Sequence, residues 1–243
     1  MIVKNRLLDT DLIIYQDDEW FKFSLDSVLL AKFVTLNLRS KNIIDLACGN
    51  APIPMFLSFR TKGRLYGVEL QKCIYDLAVK SIKENNLSDR IFLFNCDIKN
   101  LSSYFESDSF DVVTCNPPYF RLSDNSFINE NSVKAIARHE LMLNLDDVVR
   151  QAFFLLKTGG IFAMIHRTER LVEVLDIFKK YCIEPKRVRF IYSKKDKNSE
   201  LFLIEGIKNG KCGLKMLPPL FVYNSDNSYS NEVQEILKFD WRC

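Results

Sequence analysis

No C-x-x-C pair occurs among the seven cysteines of this 243-residue chain. That excludes the common zinc spacings and argues against a disulfide framework. Most of the cysteines sit inside apolar runs and read as small core hydrophobes in a reducing compartment. No stretch approaches the roughly 18 uninterrupted apolar residues of a membrane span. Met1 to Thr10 carries Lys4, Arg6 and Asp9 and lacks an apolar signal region, so the expected location is the cytoplasm. Histidine is scarce: His139 and His166 are the two in the chain, and each reads as structural or capping rather than catalytic. Internal repeats and a Pro/Gly/Ser-rich linker are both missing, so one domain is expected. Its parts are an N-terminal hairpin and helix (1–40), a core (41–209) and a C-terminal extension (210–243).

What is present suits a soluble α/β protein. Apolar residues make up 47% of the chain, with 19 Phe, and charged residues 27%, enough for a substantial core. Net charge is only +3, but it is unevenly spread. Arg167 to Lys215 holds 13 Lys/Arg against 7 Asp/Glu, a local +6 that leaves about −3 elsewhere. Such asymmetry suggests an anionic partner on one face.

Leu12 to Phe23 reads as two short strands around a turn at Gln16 to Glu19, and Ser24 to Leu38 as a helix with Ser24 as N-cap. Strands at 43–46, 65–70, 91–96, 110–115 and 161–165 then alternate with helices at 52–60, 72–85, 145–156 and 169–181. The helix at 145–156 is expected to end at Gly159-Gly160. Alternation of this kind implies a parallel sheet with helices on both faces. The link between the strands at 188–192 and 201–207 is too short for a crossover, so they form an antiparallel hairpin. Phe120 to Arg138, polar and rich in Asn and Ser, reads as a loop beside the site.

Ligands of such sheets sit beyond the carboxyl ends of the strands. The first strand ends in Asp45-Leu46-Ala47-Cys48-Gly49-Asn50-Ala51-Pro52, and Gly49 permits a tight turn and close backbone approach. The second ends in Gly67-Val68-Glu69-Leu70, where the acid can accept from both ribose hydroxyls. The third ends in Asn95-Cys96-Asp97-Ile98, where the acid can accept from an adenine amine. A dinucleotide needs G-x-G-x-x-G, and only one of those three glycines is present. S-adenosylmethionine has no phosphates and needs less, and Asp45 suits its cationic end.

The fourth strand runs into Asn116-Pro117-Pro118-Tyr119. An exocyclic aromatic amine is a poor nucleophile, because its lone pair is delocalised. The Asn116 side-chain oxygen and the Pro117 carbonyl can accept from it, the two prolines fix the backbone, and Tyr119 offers a stacking face. Cys115, the rival nucleophile for cytosine C5 chemistry, reads as core.

These motifs resemble class I amino-methyltransferases. Further segments resemble the bacterial tRNA1(Val) (adenine-37-N6)-methyltransferase family nearly end to end. They include Leu25 to Ala31, Ala137-Arg138-His139-Glu140, Ile165 to Leu171, Pro185 to Phe190, Glu205-Gly206-Ile207-Lys208 and Leu217-Pro218-Pro219-Leu220. The resemblance implies a Rossmann-like seven-stranded, mostly parallel sheet with an antiparallel last strand. It also implies S-adenosylmethionine as donor, tRNA as partner and no metal. Asn116, Pro117, Pro118 and Tyr119 would be catalytic. Asp26, Asp45, Ala47, Gly49, Asn50, Glu69, Leu70, Asp97 and Ile98 would line the cofactor pocket. The departures are Ala47 and Ala51, which stand where such enzymes commonly have glycine and bear on cofactor affinity.

Arg138, Lys186, Arg187, Arg189, Lys194 and Lys195 are the candidate RNA contacts, with Phe190 and Tyr192 interleaved. A lysine-rich solvated face with those aromatics in the core is the alternative. Two other functions stay open. One is amino-methylation of another substrate (a release-factor glutamine, rRNA guanine or DNA adenine). The other is RNA binding without catalysis by a chain with a degenerate cofactor pocket.

Overall fold

The computed structural model describes residues 1–8, 10–17, 24–38, 40–117 and 144–241. Strands β1 (Ile2–Arg6) and β2 (Ile13–Asp17) form an antiparallel hairpin. Sequence patterning misses β1, whose alternate residues are exposed and which lacks an apolar face. Gln16 and Asp17, expected in a turn, lie inside β2. Residues 18–23 lie outside the described residues.

Helix α1 (Leu25–Phe33) follows, then β3 (Asn42–Leu46), α2 (Pro52–Leu57) and β4 (Arg64–Glu69). Helix α3 (Lys72–Glu84), β5 (Ile91–Asn95) and β6 (Phe110–Cys115) continue the alternation. After the undescribed 118–143 come α4 (Leu145–Leu155), β7 (Leu156–Arg167), α5 (Leu171–Lys180), β8 (Ile183–Tyr192) and β9 (Ser199–Lys208). The C-terminal extension adds β10 (Lys215–Met216), β11 (Leu220–Phe221) and α6 (Asn231–Leu237).

The sheet order is β10-β8-β9-β7-β6-β3-β4-β5, with β11 also on β8. Strands β3, β4, β5, β6 and β7 are mutually parallel, and β9 is antiparallel to both neighbours. The seven long strands match expectation. The sheet reaches nine because two two-residue strands of the extension join its edge. Alternate residues of a strand face opposite sides, so Ile43 and Val112 join α1, α2 and α3 in one core, while Ile44 and Val113 join α4 and α5 in another.

Of the helices that end earlier than their apolar pattern, two are stopped by distant side chains. Thr35 donates both its backbone N–H (2.6 Å) and its hydroxyl (2.9 Å) to the buried carboxylate of Glu205, so α1 stops before Leu38. Ser24 sits at its N-cap without a side-chain cap hydrogen bond. The Lys208 ammonium, 5% exposed, donates to the carbonyls of Phe153 (2.8 Å) and Leu156 (2.7 Å). A cation on those carbonyls closes α4 at Leu155, ahead of the glycine pair.

Candidate functional site

The first loop, after β3, holds three left-handed residues in five: Ala47 (φ 55°), Gly49 (φ 55°) and Ala51 (φ 63°). For an alanine this costs on the order of 1 kcal/mol, so the glycine-type turn is kept despite both substitutions. The loop folds tightly over β4. A Cβ on Gly67 would lie 2.8 Å from Cys48 Sγ, and the Cys48 N–H donates to the Val68 carbonyl at 2.9 Å. On Gly49 a Cβ would meet nothing within 4 Å, so that side of the loop is open space. Asn50 is buried, and its Nδ2 donates to the Tyr15 carbonyl at 2.6 Å, tying the loop to β2.

Asp45 and Glu69 lie at this loop, and Asp97 follows the next strand over, β5. Glu69, at the end of β4, accepts from the Gly49 N–H at 3.0 Å and the Gln71 N–H at 2.8 Å. Asn95 holds the strand end beside it, donating to the carbonyls of Glu69 (2.8 Å) and Leu70 (2.9 Å). Asp97 accepts from the Lys99 N–H at 2.9 Å, and Ile98 beside it is buried. Asp45 is 2% exposed and accepts from the Thr114 hydroxyl at 2.6 Å. Burial, and secondarily the Glu69 charge, push the Asp45 carboxyl up to about 8. Burial also raises Glu69. Two carboxyl groups are thus held in a dry site that favours an incoming cation or hydroxyl donor.

Asn116 and Pro117 leave β6 beside this loop. Leu46 pairs with Cys115 across the β3–β6 ladder, so the two turns rise from neighbouring strands, about 4.8 Å apart. The Asn116 Nδ2 donates to the Ser27 hydroxyl at 3.4 Å, and Ser27 is buried in α1. That contact turns the amide donor toward α1. Ser27 was not singled out from the sequence; the Leu25 to Ala31 segment held the only signal. Asp26 lies beside it in the first turn of α1. Pro118, Tyr119 and Arg138 lie outside the described residues. The Cys115 thiol is fully buried, and burial pushes it well above its ordinary value. A protonated core thiol is no nucleophile.

The basic residues divide. Arg187 lies 3.2 Å from Glu205 and its ring-facing guanidinium is 4.5 Å from the centroid of Phe33. Arg189 pairs with Glu232 at 2.7 Å and donates to the Pro218 carbonyl at 2.9 Å. Both therefore tie elements together, because each finds a carboxylate distant in sequence. Phe190 packs on Phe202 and Tyr192 on Phe221, again structural. Lys186 sits mid-strand on β8, donating to the Lys211 carbonyl. Lys194 and Lys195 occupy the β8–β9 turn, and Lys194 reaches the Ser225 carbonyl at 3.5 Å. His166 is buried, lowered to about 4 by burial, and its Nδ1 accepts from the Arg167 N–H, a structural role. Arg187→Ala leaves the Glu205 carboxylate buried without its cation. It should destabilise the fold by about 2–3 kcal/mol, read as a lowered denaturation midpoint, with RNA affinity per folded molecule unchanged.

One surface feature escaped the sequence reading. Tyr223 and Tyr229 bridge the C-terminal extension and stack at 5.3 Å with planes 13° apart, each more than a third exposed. Among the described residues no group of three or more His, Cys, Asp or Glu could hold a metal ion, and no helix is long and apolar enough to cross a membrane.

The methyltransferase-domain family matches residues 38–238. A tRNA1(Val) (adenine(37)-N6)-methyltransferase of Flavobacterium psychrophilum is 24% identical over 200 residues, covering 81% of this chain and 84% of that protein. A protein of the same name from Aliivibrio salmonicida is 25% identical over 221 residues, 88% of each chain. Both carry the name of the family that the motifs resemble. The crystal structure of a predicted O-methyltransferase from Agrobacterium tumefaciens is similar with a TM-score of 0.72 at 18% identity, covering 90% of this chain and 98% of that one, and shares the fold. With its site loops at the carboxyl ends of a parallel sheet and this match over most of its length, the chain belongs to the methyltransferase-domain family.

Proposed function

We propose that this protein transfers a methyl group from S-adenosylmethionine to N6 of an adenine in the tRNA anticodon loop, at position 37 of a valine tRNA. The observation that carries the reading is the Asn116-Pro117 turn beside the Ala47–Ala51 loop, with the amide donor directed to Ser27. The substrate comes from the names of the relatives.

In this reading Glu69 accepts from the ribose hydroxyls and Asp97 from the adenine amine, while Leu70 and Ile98 wall the base. Gly49, flanked by Ala47 and Asn50, gives close backbone approach where the loop is open. Asp45 faces the cationic amino-acid end, with Asp26 near it. When bound, S-adenosylmethionine supplies an electrophilic methyl on a sulfonium. Asn116 Oδ1 and the Pro117 carbonyl hold the target amine by accepting its two protons, so its lone pair points at that methyl. Pro118 keeps the turn rigid and Tyr119 stacks the base. No strong general base is needed, because the amine becomes acidic once methylated. Positioning and fixed dipoles supply the acceleration. The protein acts without a metal ion, as a monomer in the cytoplasm.

The RNA rim is built from Lys194, Lys195 and the Tyr223–Tyr229 stack. Val188 on β8 is level with Cys115 through β9 and β7. The β8–β9 turn therefore projects about 13 Å past the strand ends on the site's side. Replacing both lysines by Ala should weaken tRNA binding and reduce the slope of log affinity against log salt by about 1.5. An unchanged slope places the phosphate contacts elsewhere.

Transfer of labelled methyl to tRNA, DNA and a release factor tests the whole reading. Label is expected in tRNA as N6-methyladenosine, identified by nucleoside mass spectrometry. Label in the release factor alone refutes it.

A further inference from the structure

Gln16 is 3% exposed, and its Nε2 has no hydrogen-bond partner. Two other buried nitrogens share that state, on Arg90 and Arg187, but those guanidinium groups bond through their remaining nitrogens. On Gln16 the whole amide donor is orphaned. A sealed, unpaired amide donor is costly and is rarely kept without a use.

Its surroundings indicate the use. The outer edge of β2 is fixed to α3, where Asn85 accepts from the Ile13 N–H at 2.8 Å and Ser81 from the Tyr15 N–H at 2.9 Å. The next link is the Asn50 side chain on the Tyr15 carbonyl, so the residue preceding Gln16 is bonded to the first loop. The Tyr15 ring lies under Lys80, with the ammonium 3.9 Å from its centroid. Strand alternation sends Gln16 to the other face, shared with Ile14. Ile14 packs in the same core as Val28 and Leu29 of α1 and Ala51 of the first loop.

We propose that the Gln16 carboxamide donates to the carboxylate at the amino-acid end of S-adenosylmethionine. This rests on the cofactor reading above and extends it. Asp45, Glu69 and Asp97 are acceptors that meet hydroxyls, amines and positive charge. As carboxylates none of them can meet another carboxylate, and a zwitterionic tail brings one. A neutral donor suits that place, since a lysine or arginine there would satisfy Asp45 itself and compete with the ligand's cation. Binding then pairs a donor that the fold itself leaves unpaired.

Calorimetry with two ligands tests this. S-adenosylhomocysteine carries the amino-acid tail, and 5′-methylthioadenosine lacks it. Gln16→Leu should weaken S-adenosylhomocysteine by about tenfold or more, while 5′-methylthioadenosine stays within about twofold. The unliganded variant should melt no lower than the wild type, because the orphan donor is gone. Gln16→Met, closer in length, repeats the measurement should the Leu variant not fold. Equal losses for both ligands, or no loss for the first, overturn the assignment. A wild type that binds neither ligand overturns it through the cofactor reading, a separate and recognisable result.

Discussion

Asn116→Ala should lower methyl transfer to tRNA by about a thousandfold or more and leave affinity for S-adenosylhomocysteine within about threefold. The first figure follows from the role of Asn116. Removing one preorganised hydrogen-bonding group costs about a hundredfold to a thousandfold. Here the same group also sets the angle of attack, which is a positioning term of its own. The second figure follows from where Asn116 sits, at the end of β6, held by Ser27, while the first loop hangs from β3 and β4. Single-turnover transfer separates chemistry from binding, and calorimetry gives the affinity. Ser27→Ala is the graded companion. It removes the contact that orients the amide donor and should slow turnover by about tenfold with cofactor affinity unchanged. Wild-type transfer by Asn116→Ala removes the mechanism. A parallel loss of cofactor affinity would instead assign Asn116 to the cofactor pocket.

The parts of this site that could be read from the sequence are those whose cause is local. Strand β6 has the bounds that its apolar run Phe110 to Cys115 predicts, Asp45 and Glu69 lie at the carboxyl ends of β3 and β4, and Asp97 follows β5. The parts that could not be read have causes far along the chain. Helix α1 ends because of Glu205, 170 residues away. Arg187, counted by composition as a free cation, belongs to that same carboxylate. Ser27 meets Asn116 across 89 residues. The glycine deviations at Ala47 and Ala51 pointed to an altered loop, yet both residues take the left-handed backbone. Packing of Cys48 against Gly67 is the long-range contact that holds them there.

Cofactor affinity should rise with pH between 6 and 8, by up to about a hundredfold, and level off above. Burial lifts the Asp45 carboxyl to about 8, so the unliganded protein keeps it protonated at neutral pH. A cation beside it favours the carboxylate, so binding lowers that value and expels a proton. One proton released corresponds to at most tenfold in affinity per pH unit below the unliganded value. Stability runs the opposite way. A carboxyl raised in the folded state contributes fully below its unfolded value near 4, and the contribution is lost as pH climbs toward 8. The unliganded protein should therefore be less stable at pH 8 than at pH 6, by up to about 1.4 kcal/mol per unit. Asp45→Asn should flatten the Asp45 part of both profiles and keep the Thr114 contact, since the amide oxygen still accepts. Calorimetry at pH 7 in phosphate and in Tris counts the proton directly, because the two buffers differ in ionisation enthalpy. Binding with no proton release and no pH dependence would place the cation of the cofactor away from Asp45.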